Sequence, residues 1–211
     1  MSYRVSVVAV VTLLIGVSIP SLAAQASKKA EKSMESMRKT RQEIEKAKVQ
    51  KDKTMAALES LIAQSGKNLK KPYDKFKKEL KNLDKSAEKV RKVATDMRTK
   101  SQDLYKVWEK ELTNIQNPDL QQKAGQRREQ AMEQFGELEP VFQSTRTSFV
   151  SLMATLEDIR NYLGVDLSPS GIEAISEIAG DAKAQNQGVD DGLAEITKRL
   201  DEFAKEFSGG R

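Results

Sequence analysis

The sequence predicts an all-α protein: an elongated, antiparallel, up-down-up-down four-helix bundle of coiled-coil character. Three observations predict it. Three long segments keep an apolar residue at alternating steps of three and four. One runs from Phe76 to Trp108 through Leu80, Leu83, Ala87, Val90, Ala94, Met97, Ser101 and Leu104. A second runs from Ala131 to Leu163 through Phe135, Leu138, Phe142, Thr145, Phe149, Leu152, Leu156 and Ile159. A third runs from Ile172 to Phe207 through Ile175, Ala179, Ala182, Asn186, Val189, Leu193, Ile196, Leu200 and Phe203. That spacing draws a single apolar seam along one side of a helix. The composition agrees: 38% hydrophobic, 32% charged and 5% aromatic over 211 residues, the profile of long amphipathic helices with thin cores. The breaks between segments are short, about two to eight residues, which makes consecutive helices antiparallel neighbours.

The first 26 residues read as a secretory signal. Arg4 gives a short positive start, Val5 to Val17 is an apolar run too short to favour a spanning helix, and Pro20 breaks it. Ala24-Gln25-Ala26 offers small residues where a signal peptidase reads them, so cleavage is expected between Ala26 and Ser27, with Ala23 as the second choice. An uncleaved N-terminal anchor is the alternative. Residues 27–211 then form a single helical domain.

The first helix is expected over 30–63, with Met34, Met37, Ile44, Met55, Leu58 and Ile62 as its seam. Arg41, Lys48 and Lys51 interrupt that seam, so shallow packing is expected of it. Gly66 in Ser65-Gly66-Lys67-Asn68 suits a helix stop. The second helix, over 72–115, opens on Pro72, a residue preorganised for the first helical position. Asn117 is a good N-cap and Pro118 a good first residue for the third helix, over 119–163. Pro140 lies inside that helix and is expected to kink it while the heptad continues in phase. Ser168-Pro169-Ser170-Gly171 opens the fourth, over 169–207, with Ser170 and Glu173 at capping-box spacing. Helices of about 40 residues make a rod roughly 60 Å long.

Several stretches resemble one bacterial family: Tyr73-Asp74-Lys75-Phe76, Ala87-Glu88-Lys89-Val90-Arg91, Val107-Trp108-Glu109-Lys110-Glu111-Leu112 and Asn117-Pro118-Asp119-Leu120. Glu139-Pro140-Val141-Phe142 and the run from Asn161-Tyr162-Leu163 to Ile175 fit the same pattern. In order and spacing the chain resembles the family known as domain of unknown function 2959, over nearly its whole mature length. The resemblance implies exported all-helical envelope proteins without an assigned activity, some of them predicted lipoproteins. This chain has no cysteine to carry a lipid, so a soluble periplasmic or secreted form is expected.

Chemistry is thinly represented. With no histidine and no cysteine, the chain lacks disulfides, thiol nucleophiles, thiolate or imidazole metal ligands and imidazole acid–base groups. Gly66-Lys67 has neither the upstream glycine nor the following hydroxyl of a phosphate-binding loop. No enzymatic activity, cofactor or metal site is therefore expected, and the family supplies no catalytic residue to carry over. Trp108, the single tryptophan, sits on the second helix's seam; core packing or a partly exposed anchor for a partner would both place it there.

Charge is the clearest surface signal. Residues 66–100 hold 13 Lys and Arg against 5 Asp and Glu, whereas residues 165–211 hold 5 against 10. The densest part is Lys67, Lys70, Lys71, Lys75, Lys77, Lys78, Lys81 and Lys85, around the turn between the first two helices. A basic tip for an anionic membrane surface, a cell-wall polymer or an acidic partner is one reading. A solvated face balanced by the acidic fourth helix beside it is the other. Nucleic acid is a poor partner, because only Tyr73 and Phe76 are aromatic there and Phe76 belongs to the seam. Antiparallel pairing also brings Lys48, Val90, Thr145 and Asn186 to similar heights, a candidate polar layer that fixes register or, as the alternative, a small polar cavity for a ligand or water. The expected role is a non-enzymatic interaction or structural protein of the cell envelope, with an envelope protein or anionic surface as partner. A binder of anionic lipid or polymer through the tip, and a periplasmic holdase gripping clients with the methionines of the first helix, are the alternatives.

Overall fold

The computed structural model describes residues 22–64 and 68–208, with side chains from 26 to 64 and 68 to 205. Lys67 and the stop at Gly66 lie outside the described residues, as do most of the predicted signal segment and the last residues of the chain. Six helices follow in order: α1 (Leu22–Ile62), α2 (Lys70–Leu112), α3 (Pro118–Gly136), α4 (Leu138–Val165), α5 (Pro169–Ala174) and α6 (Ser176–Ser208). No strand occurs among the described residues. The fold is an all-α bundle. Four long helices sit at the corners of a square: α1 touches α2 and α6, and α4 touches α2 and α6. In the diagonal pairs, α1 with α4 and α2 with α6, no Cα atoms come within 8 Å.

Local chemistry sets the boundaries. Asn117 caps α3, its side-chain oxygen accepting from the backbone of Asp119 at 3.0 Å and of Leu120 at 3.1 Å, with Pro118 as the first helical residue. Ser168, rather than Ser170, caps α5 by accepting from the Gly171 amide at 3.1 Å. A Cβ at Gly171 would come within 2.2 Å of the Asp166 carbonyl oxygen, so glycine is required where α5 folds back on that turn. The expected single helix over 119–163 is two helices, separated at Glu137. Pro140 explains the position of the break. It cannot bond the carbonyl four residues back, at Gly136, and its ring crowds that group. Pro140 therefore belongs to the first turn of α4, where proline is tolerated.

The first helix corrects the expectation of shallow packing. Its buried face is Ser33, Met37, Thr40, Ile44, Ala47, Lys51, Thr54, Leu58 and Leu61, an unbroken alternation of steps of four and three. Much of that face is hydroxyl or small, and its hydroxyls bind the neighbouring helix. Thr54 Oγ1 approaches Glu79 O at 3.1 Å, Thr40 Oγ1 approaches Val93 O at 3.1 Å, and Ser33 and Ser101 share a hydrogen bond of 3.0 Å. Small residues let the α1 and α2 backbones approach; Thr40 and Thr54 donate at 2.9 Å to Ser36 O and Gln50 O of their own helix and share that proton with the α2 carbonyls, while the Ser33–Ser101 bond pairs two hydroxyls across the interface. On the other side of the bundle Gly192 does the same for α6 and α4. A Cβ there would lie 2.2 Å from Thr145 Oγ1.

The core falls into two clusters. The one nearer the α1–α2 turn is rich in leucine, with Leu58, Leu61, Phe76, Leu80, Leu83, Leu152, Leu156, Ile159 and Leu163. The other holds Met37, Ile44, Met97, Tyr105, Ala131, Leu138, Ile196, Leu200 and Phe203. There Phe135 meets Tyr105 and Phe203 edge to face, with ring centroids 6.2 Å apart in each pair. Helix α3 closes this second end and buries only Ala131, leaving Leu120 and Met132 exposed.

Candidate interaction surface

The polar layer exists at the boundary of the two clusters, with a different cation at its centre. Lys51 is 1% exposed, and its ammonium donates to Asn186 Oδ1 at 2.8 Å, Asp190 Oδ2 at 2.9 Å and Asp52 Oδ1 at 2.8 Å. Three N–H donors meet three acceptors, which is the condition for burying an ammonium at tolerable cost. Asn186 Nδ2 also donates to Asp190 at 3.2 Å, so it orients the carboxylate. Lys48 does not join the layer; it is exposed beside a groove. Thr145 is buried but donates to Val141 O at 2.7 Å and packs on Gly192, away from Asn186. Apolar counting misses Lys51 because the seam of α1 is built partly from hydroxyls and alanine. The signal in the sequence is positional: Lys51 stands in frame between Ala47 and Thr54.

The groove beside Lys48 runs between α1 and α6 and encloses about 460 Å³. Ile44 and Leu193 form its floor, with Lys48, Lys198, Asp201 and Glu202 among its walls. Arg41 holds Asp201 at 2.8 Å. Cations and acids are mixed there, and the Thr197 hydroxyl in the lining donates to Leu193 O at 2.9 Å. No group of three acidic, histidine or cysteine side chains among the described residues could hold a metal ion. No helix among the described residues is long and apolar enough to cross a membrane.

The lysines of the predicted tip divide into paired and unpaired. Lys70 binds Asp74 at 2.8 Å, and Lys77 lies 3.8 Å from Asp74 and 5.1 Å from the centre of the Tyr73 ring. The Lys70 hydrogen bond holds the Asp74 carboxyl below its usual pKa. Lys71, Lys75, Lys78, Lys81 and Lys85 are exposed, and none forms an ion pair among the described residues. Lys89 and Lys92, farther along the same helix, are exposed and unpaired in the same sense. The basic surface is therefore a ridge along the flank of α2, not a tip. Its neighbour is not the acidic helix: α2 and α6 occupy opposite corners, so local balancing by α6 is ruled out by placement. Trp108 is partly buried against the second core cluster, far from this ridge.

The turn joining α4 to α5 sits at the same end as the start of α2. Tyr73 spans the two, its hydroxyl donating to Arg160 O at 2.8 Å, and burial pushes that phenol's pKa up. This contact fixes the base of the ridge against α4. No curated protein and no solved structure matches the chain. A family model described as protein of unknown function, DUF2959, matches residues 23–207, and the chain belongs to that family.

Proposed function

We propose that the protein is a non-enzymatic interaction or structural module of the bacterial cell envelope, exported to the periplasm or beyond. The observation that carries the reading is a concentration of uncommitted charge: seven exposed lysines without ion-pair partners among the described residues lie on one outward helix face. Groups of that kind meet surfaces and partners; they do not enclose a reacting substrate. Export draws support from the signal-like first 26 residues and from the start of the core. Among the described side chains of α1, which begin at Ala26, the first buried one is Ser33, so the described core starts beyond the expected cleavage point between Ala26 and Ser27. The holdase alternative draws less support, because Met37 is 3% and Met55 8% exposed, and gripping a client would require α1 to leave the bundle.

Crosslinking in the native envelope, followed by identification of what is captured, tests the reading. The expected result is a mature chain that begins at Ser27 and is captured with an envelope component. A chain that still begins at Met1 and fractionates with cytosolic proteins contradicts it.

A further inference from the structure

We propose that the α2 ridge docks the rod lengthwise on an anionic lipid bilayer, a partner assignment that rests on the envelope reading above. Lys71, Lys75, Lys78, Lys85, Lys89 and Lys92 follow one another at steps of four, three, seven, four and three. In a coiled-coil bundle that spacing keeps them on one flank. They span 21 residues, about 31 Å at 1.5 Å per residue. Lys81 widens the row, and all seven are exposed and unpaired among the described residues.

The acids among them are mostly engaged elsewhere. Asp74 is held by Lys70 and Lys77, Glu88 by Arg91 at 2.7 Å, and Glu79 by Gln50 at 2.8 Å; Asp84 is the exception. The Gln50 hydrogen bond is the first cause holding the Glu79 carboxyl below its usual pKa, and the charges of Lys78 and Lys53 add to it, so Glu79 offsets part of the ridge at Lys78.

The opposite corner supplies the orientation. Helix α6 carries eight acids and four cations. No Cα atom of α6 comes within 8 Å of one in α2, and α1 and α4 are neighbours that both share. The rod is polarised across its width, so a negative plane attracts the α2 side and repels the α6 side.

The residue type selects a charged plane over a specific ligand. Lysines are point charges on flexible stems and lack the fixed fork that arginine uses to read one anion. No exposed large hydrophobic residue lies within the row, so the contact is adsorption without insertion and is sensitive to salt. A second copy of the chain is a poorer occupant. Of the acids of α6, Asp190 is held by Lys51, Glu195 by Arg199 and Asp201 by Arg41, and the exposed ones without an ion pair among the described residues, Glu177, Asp181 and Asp191, are too few to match the seven lysines of the ridge.

The test uses the mature full-length chain and sedimentation with vesicles of phosphatidylglycerol and phosphatidylcholine, against phosphatidylcholine alone. Each lysine brought to an anionic surface contributes about a fivefold factor in partitioning. The variant Lys71→Gln/Lys78→Gln/Lys85→Gln/Lys92→Gln is expected to bind about 500-fold more weakly. The control Lys28→Gln/Lys32→Gln/Lys123→Gln/Lys183→Gln has the same net charge and is expected to lose less than about tenfold. Circular dichroism confirms that both stay folded. Binding to anionic vesicles alone, abolished by about 0.5 M salt, supports the proposal. Equal losses in the two variants overturn it, because net charge would then suffice. So does binding to a soluble polyanion without binding to vesicles, or salt-sensitive self-association without vesicle binding. Absence of vesicle binding from a chain that is processed and crosslinks to an envelope protein overturns the lipid assignment and leaves the envelope reading standing. An unprocessed cytosolic chain overturns the envelope reading whatever the vesicles show.

Discussion

The two halves of the rod are built from the same four helices but filled differently. On the side of the α1–α2 turn, Leu58, Leu61, Phe76, Leu80, Leu83, Leu152, Leu156, Ile159 and Leu163 are each at most 1% exposed. On the far side the buried set includes Ser33, Ser36, Thr40 and Ser101 among methionines and aromatics, and α3 covers it with a single buried alanine. The Lys51 layer stands between them. The thin half contains the helix break at Glu137 and the dense half the one at Ile175, so each is interrupted once; what differs is apolar area per turn, and that sets local stability. The difference runs across the rod, through every helix, and does not single out α1 as a loose element. Most of the basic ridge, from Lys71 to Lys85, lies on the half with the denser core, whereas Lys89 and Lys92 flank Val90, which packs against the second cluster.

Matched truncations should expose this contrast most strongly. Leu156→Ala in the dense half is expected to cost about 4 kcal/mol, and Met97→Ala in the thin half about 2 kcal/mol. Chemical denaturation of the two variants checks it, and equal losses would erase the distinction between the halves. The boundary itself comes next. Lys51→Ala strands Asp190 and Asn186, and a loss of about 3 kcal/mol is expected, moderated because Asp190 keeps 26% exposure. Replacing Lys51 and Asp190 together by Met and Leu should recover most of that loss while weakening the registration of α1 against α6. Thermal melts with size-exclusion chromatography separate the two effects. Gly192→Ala is expected to cost about 2 kcal/mol by pushing α6 off α4 at Thr145. Partial rescue by Thr145→Ala would confirm the clash, and a neutral Gly192→Ala would show that α4 and α6 can separate freely.

Much of the fold was legible because apolar spacing reports long helices well. The seams of α2, α4 and α6, the Asn117 cap and the short turns all follow from it. Three features were not legible in that way, each for a physical reason. The seam of α1 uses hydroxyls that pair with backbone carbonyls of α2, and a count of apolar residues passes over Thr40 and Thr54. The break at Glu137 is dictated by Pro140 three residues later, whereas heptad phase is preserved across it and hides it. The neighbours of the lysines depend on which corners the helices occupy, so composition alone could set acidic α6 beside basic α2. Lys48 and Lys51 illustrate the margin: three positions apart on one helix, one is exposed beside the α1–α6 groove and the other is enclosed by three acceptors.

Amide hydrogen exchange resolved along the chain tests most directly the claim that the Lys51 layer divides a dense half from a thin one. Residues 54–61, 76–83 and 152–163 should exchange at least about tenfold more slowly than residues 33–44, 97–105 and 196–203, within the same helices. Uniform protection along each helix, or slow exchange throughout α2, α4 and α6 with fast exchange throughout α1, would contradict it.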